Sequence, residues 1–198
     1  MKILAFVDLH GSKKALKKLR DKVKKHSPDI IICAGDLTVF EQNMDLIMSE
    51  LAKTKKPVLV IPGNHEEGSD VRRSASLFEN ITDIHKRKHV FKDYIFLGYG
   101  GGGFSLVDKE FEALAKKWEK EIRPEDNVVL VTHAPPYKTE LDKIMDEHCG
   151  NKSIARFIKK VDLNLVVCGH LHENAGKEHK VKKTRIINPG PYGMVLNI

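Results

Sequence analysis

His170 and His172 stand one residue apart where the apolar run Asn164–Gly169 ends. Four other apolar runs stop on similar residues. Lys2–Val7 leads into Asp8, Leu9 and His10, and Asp29–Ala34 leads into Gly35 and Asp36. Pro57–Pro62 leads into Gly63, Asn64, His65 and Glu66, and Asn127–Thr132 leads into His133. Two readings compete. Asp and Asn favour helix starts and turns, which accounts for Asp36 or Asn64 taken singly. Histidine has no such preference, so His10, His133, His170 and His172 are left over. The second reading is metal. Imidazole and carboxylate are donors for zinc, iron and manganese, and no thiolate pair suggests a structural zinc knot. The donors outnumber the needs of one ion. Two ions about 3.5–4 Å apart, sharing a carboxylate, use them all.

Such a cluster needs elements that carry its members to one place. The five runs have the length and apolarity of strands buried on both faces. Helical spacing separates them. Ala15, Leu16, Leu19 and Val23 line one face of a helix that Ser12 can N-cap. Met44, Ile47, Met48 and Leu51 mark a second, and Phe111, Leu114, Ala115, Trp118 and Ile122 a third. Ile154, Ala155, Ile158 and Val161 mark a fourth. Asp93–Tyr99, with a shorter strand expected before it, Thr184–Asn188 and Tyr192–Ile198 complete the strands. Strand and helix alternate, which specifies an α/β fold. The later strands have little helix between them, so part of the sheet is expected to be antiparallel. In such sheets the carboxyl ends of the strands face the ligand crevice, where the polar residues would meet.

The chain has 198 residues, enough for one sizeable core, and residues 1–198 read as a single domain. No apolar run reaches the length of a membrane span, and Lys2–Val7 is too short for a signal-peptide core, so a cytoplasmic protein is expected. Cys33 and Cys168 lie in apolar runs and read as small buried hydrophobes. Basic residues outnumber acidic ones, 34 to 27. Lys13–Lys25 alone carries eight basic residues and one acid, which a solvated helix face explains without a partner. His85–His89 is a second basic cluster and is read in the same way. Arg72 and Arg73 suit a solvated helix face better than a substrate contact. Tyr99–Phe104, "YGGGGF", could line the crevice with backbone amides or be a flexible turn, and it lacks the Lys-Ser/Thr of a P-loop.

The blocks "DLH" (8–10), "GD" (35–36), "GNHE" (63–66), "THAPP" (132–136) and "GHLH" (169–172) occur in order, each after an apolar run. Together they resemble the five signature blocks of the calcineurin-like metallophosphoesterases, in the compact form of the small prokaryotic phosphodiesterases. The resemblance implies a four-layer α/β/β/α sandwich with two mixed sheets face to face. It implies that Asp8, His10 and His172 hold one metal, that Asn64, His133 and His170 hold a second, and that Asp36 bridges them. His65 would be the catalytic histidine near the leaving group, oriented by Glu66. Leu171 would point away between two histidines that serve different metals.

The implied cofactors are two divalent metal ions, manganese first, with iron, nickel or zinc also suited by the donor types. The implied reaction is hydrolysis of a phosphodiester by a metal-bound hydroxide. A phosphomonoesterase or nuclease on the same site, and a non-catalytic metal-binding scaffold, remain alternatives. The partner expected is a phosphate-ester small molecule or nucleotide, with nucleic acid left open and no membrane.

Overall fold

The computed structural model describes all residues, Met1–Ile198. In chain order, the first elements are β1 (Lys2–Phe6), α1 (Lys13–His26), β2 (Ile30–Cys33), α2 (Met44–Ala52), β3 (Val58–Val60), α3 (Gly68–Ala75), β4 (Ile81–Asp83), β5 (Arg87–Phe91) and β6 (Tyr94–Tyr99). Then come α4 (Lys109–Glu121), β7 (Asn127–Thr132), β8 (Lys143–Ile144), β9 (Glu147–His148), α5 (Lys152–Lys160), β10 (Leu165–Val167), β11 (Glu178–Val181), β12 (Thr184–Ile187) and β13 (Met194–Asn197). A single 3-10 turn covers His172–Asn174.

One sheet has the order β13-β1-β2-β3-β4, the other β11-β12-β10-β7-β6-β5, and β8 pairs β9 in a small hairpin. β1 to β4 run parallel and β13 is antiparallel at the edge. In the second sheet β12, β10, β7 and β6 are parallel, with β11 and β5 antiparallel at its two edges. The antiparallel component is therefore confined to edge strands.

Strand alternation builds the layers. Leu4, Phe6, Ile31, Cys33, Val58 and Val60 face α1, α2 and α3 in one core. The intervening residues Ile3, Ala5, Ile30, Ile32 and Leu59 meet Phe96, Val129, Val131, Leu165 and Val167 of the second sheet. The opposite face of that sheet, Leu97, Val128, Leu130 and Val166, packs on Phe111, Trp118 and Phe157 of α4 and α5. The result is the expected α/β/β/α sandwich. A fully buried phenylalanine such as Phe96 or Phe157 is worth about 3–5 kcal/mol against alanine in such a core. No helix is long and apolar enough to cross a membrane.

Helix caps follow the sequence. The Ser12 hydroxyl accepts the Ala15 N–H, and Lys24, Lys25 and His26 close α1 at the end that favours cations. The Asn151 side chain accepts the Ser153 and Ile154 N–H groups at the start of α5. Cys33 and Cys168 are fully buried, and burial raises both thiols far above their ordinary range.

Two features depart from the sequence reading. The basic run around Arg87–His89 is an edge strand, not a helix face, and its charged, outward-facing residues blunt an open sheet edge. β11, "EHKV", is hidden from hydropathy for the same reason. Arg72 and Arg73 lie exposed on the short helix α3, as expected, and Arg72 Nε also donates to Asp83 Oδ2 at 3.2 Å, tying α3 to β4.

Candidate metal centre

The polar residues that end β1, β2, β3, β7 and β10 meet at one end of the two sheets. Asp36 Oδ2 lies 3.6 Å from His10 Nε2 and 3.5 Å from His133 Nε2, so a single carboxylate oxygen stands between donors from different strands. His10 Nε2 is 3.0 Å from His172 Nε2, and His172 Nε2 is 4.0 Å from Asp8 Oδ1. On the other side, Asn64 Oδ1 is 2.9 Å from His133 Nε2 and 2.8 Å from His170 Nδ1. The set Asp8, His10 and His172 can hold an ion, as can Asp8, Asp36 and His133. His170 and His172 point into different groups, and Leu171 between them is buried.

The loops that deliver these residues are strained. Asp8, His10, Asp36 and His170 have φ of 55°, 45°, 51° and 70°, a region that side chains other than glycine avoid. Such strain persists only where surrounding bonds over-determine it. Here the Asp8, His10 and Gly11 N–H groups donate to the carbonyls of Gly35, Asp36 and Leu37, and the His170 N–H donates to Asp8 Oδ1 at 3.3 Å. Gly63 is required by a close approach. A Cβ there would sit 1.9 Å from Asp36 Oδ1. Gly169 answers to the same demand, since its Cβ would sit 2.1 Å from Val7 Cγ2.

Second contacts set the ring orientations. The Nδ1 atoms of His10 and His133 face the carbonyl oxygens of Thr38 and Ala34 at 3.1 and 3.0 Å. An Nδ1–H donated to a carbonyl leaves Nε2 as a lone pair aimed at the centre. Thr38 and Ala34 act only through backbone carbonyls, so no residue-type signal in the sequence marks them.

His133 is fully buried, and burial holds its pKa down at about 4, so the ring is neutral near pH 7. A neutral imidazole has one N–H, yet His133 faces two acceptors, Ala34 O and Asn64 Oδ1. With Nδ1–H given to Ala34 O, the Nε2 lone pair and the Asn64 amide oxygen face one space, where a cation would accept both. Asp8 makes the same demand from the other side. Its buried Oδ2 has no partner, and burial, then the Asp36 charge, raises its pKa to about 7. The buried nitrogens His65 Nδ1 and His170 Nε2 are also unpartnered. The donor set fits divalent cations.

His65 places Nε2 4.0 Å from Asp36 Oδ2, with its ring beside His10 and Phe40. Glu66, expected to orient His65, is engaged elsewhere. Its carboxylate accepts the N–H groups of Asp36 (3.0 Å), Thr38 (2.8 Å) and Gly63 (2.8 Å) and the Thr38 hydroxyl (2.9 Å). It clamps the loop after β2 to the loop after β3. It reaches His65 only indirectly, because Asp36 Oδ1 accepts the His65 N–H at 3.1 Å. Burial, helped by the Asp36 charge, raises the Glu66 pKa against the bonds from Gly63 and Thr38. The segment Tyr99–Phe104 borders the centre, with the Phe104 ring 4.6 Å from that of His170.

Comparison with known proteins agrees with this geometry. The calcineurin-like phosphoesterase family matches residues 1–174. An uncharacterised protein of Methanocaldococcus jannaschii is 32% identical over 96% of this chain and 88% of its own length. A probable glycerophosphodiester phosphodiesterase of Arcobacter nitrofigilis is 26% identical over 75% of the chain, which spans 58% of that relative. Among solved structures, TT1561 of Thermus thermophilus superposes with a TM-score of 0.78 at 19% identity, over 96% of this chain and 88% of its own. A dimetal phosphatase from Danio rerio superposes with a TM-score of 0.71 at 10% identity, over 94% and 86%. With a family match that takes in every one of the strand-end motifs, the chain belongs to the calcineurin-like phosphoesterases.

Proposed function

We propose that the protein is a phosphohydrolase that binds two divalent cations and cleaves phosphodiester bonds. Asp8, His10 and His172 would hold one ion and Asn64, His133 and His170 the other, with Asp36 placed between the two sets. The observation that carries the reading is the convergence of donors from both sheets on Asp36, with His10 Nε2 and His133 Nε2 at 3.6 and 3.5 Å from its Oδ2. The cations, when bound, neutralise the phosphoryl oxygens and acidify a water molecule.

The chain's own residues do the rest. Asp36 offsets part of the positive charge and fixes the spacing of the two donor sets. Asn64 adds a ligand without adding charge. The carbonyls of Thr38 and Ala34 keep His10 and His133 turned toward the centre. His65 stands beside these residues and donates a proton to the departing alkoxide. Diesters are the substrates to try first, because the relative from Arcobacter nitrofigilis is named for diester cleavage. Manganese is the first metal to try.

The test strips the protein with chelator, reloads it with manganese, and assays bis(4-nitrophenyl) phosphate beside 4-nitrophenyl phosphate. Wild type turns over the diester faster and only with metal. Asp36→Asn loses metal and activity together. His65→Ala keeps its metal and loses about 10²–10⁴-fold in kcat. Two bound ions with no hydrolysis of either ester would favour a scaffold, and absence of metal binding would refute the assignment.

A further inference from the structure

The histidines of the centre are not all held in the same way. The rings of His10 and His133 are set by the carbonyls of Thr38 and Ala34. His172 has no such support. Its side chain is 60% exposed, and its polar contacts are with its neighbours in the centre, His10 Nε2 at 3.0 Å and Asp8 Oδ1 at 4.0 Å. Where its imidazole stands therefore depends on the backbone that leads into it.

That backbone is the peptide joining Leu171 to His172, and one buried side chain grips it. Asn188 Nδ2 donates to the Leu171 carbonyl at 3.2 Å. Asn188 is fully buried and is itself fixed on several sides. Its Oδ1 accepts the Gly190 N–H at 3.0 Å, its own N–H donates to the Lys177 carbonyl at 3.1 Å, and its carbonyl accepts the Gly176 N–H at 2.8 Å. The Leu171 carbonyl also accepts the Asn174 N–H at 3.0 Å, which closes the 3-10 turn. A rigid amide thus fixes the plane of the peptide from which His172 departs.

The same short segment reaches the far side of this donor set. The Gly190 carbonyl accepts the N–H of Val7, the residue before Asp8, at 3.2 Å. Gly190 has φ of 60°, and a Cβ there would sit 2.9 Å from Ala175 Cβ, so the turn requires glycine. Asn64, His133 and His170 receive no bond from Asn188. Asn188 follows β12 and lies outside residues 1–174, the part of the chain that the family match covers.

We infer that Asn188 is a positioning residue for His172: its side-chain amide holds the Leu171–His172 peptide so that the imidazole reaches the ion shared with Asp8 and His10. The inference rests on the two-cation reading and adds to it a residue from outside the strand-end motifs.

The test reads metal affinity rather than turnover. Asn188→Asp keeps an acceptor for the Gly190 N–H and removes the donor to Leu171. Asn188→Ala removes both and covers the case in which a buried carboxylate prevents folding. Manganese is titrated by calorimetry into the chelator-stripped proteins. In either variant one ion should bind about 10–100-fold more weakly than in wild type, and the other should bind unchanged. His172→Ala should weaken that same ion, and Asn188→Asp should cost nothing further in its background, while still weakening it in a His170→Ala background. Unchanged affinity, equal weakening of both ions, or a further loss on top of His172→Ala would overturn the inference. If wild type binds no manganese, the two-cation reading fails separately, and hydrogen exchange of the metal-free protein decides the positioning role. The Asn174 N–H should then exchange about tenfold faster in Asn188→Asp than in wild type, with the β7 amides unchanged. Equal exchange at Asn174, or faster exchange throughout the chain, would refute it.

Discussion

Asp8 concentrates the electrostatic problem of the site. Its carboxyl is buried, has one oxygen without a partner and lies near Asp36, and its pKa rises from 3.8 to about 7. A carboxyl whose folded pKa is raised binds its proton more tightly folded than unfolded. The metal-free protein therefore enjoys this contribution at about pH 4 and loses it as pH rises to about 7. In the metal-free state, Asp8→Asn should be more stable than wild type at pH 8 by roughly 3–4 kcal/mol, with the gap closing near pH 4. Urea unfolding in chelator across that range measures it. A gap that does not change with pH would show that the carboxyl is not strained in this way. With metal bound, the order of stability should reverse, because Asp8 then has the partner its environment lacks.

The loops after the strands carry the site, and Glu66 joins two of them. Its four hydrogen bonds satisfy buried N–H groups of Asp36, Thr38 and Gly63 and the Thr38 hydroxyl. Glu66→Ala leaves those donors without partners and should destabilise the protein by about 3–5 kcal/mol. The denaturant midpoint should fall with the slope unchanged, since the cores between the layers are untouched. Metal affinity should fall as well, because Asp36 is held by the same clamp. A variant of wild-type stability with lost turnover would instead make Glu66 a direct participant in the reaction.

Across the whole fold, the centre is a seam between the two sheets. β1, β2 and β3 deliver Asp8, His10, Asp36, Asn64 and His65, while β7 and β10 deliver His133, His170 and His172. The proposed ligands come from opposite sheets and meet only in the folded state, so bound metal should stabilise the entire sandwich. Manganese at one hundred times its dissociation constant should add about 2.7 kcal/mol per site, visible as a rise in Tm that chelator reverses. Asp36→Asn should show little of that rise. Metal binding with no thermal shift would mean that the donors do not bridge the sheets.

The meeting of the polar residues was legible because each follows an apolar strand directly. The short continuous apolar runs of β1, β2 and β3 mark strands buried on both faces without reference to the rest of the chain, and the polar residue after each lies at its carboxyl end. Helices α1, α2, α4 and α5 were equally plain, since their apolar spacing is a one-face pattern. β5 was expected as a short strand before β6, whereas the edge strand β11 was not legible, because an exposed edge carries charge where a buried strand carries valine. Nor was the role of Glu66. Proximity in sequence suggested His65 as its partner, whereas its hydrogen bonds run to backbone N–H groups as far as 30 residues away. Which residues end at strand tips is a property of short segments. Which tips face one another, Asn64 with His133 and His170 or His10 with His172, depends on sheet order and on the packing of one sheet upon the other. Those are long-range arrangements, set by burial of whole faces rather than by any one segment.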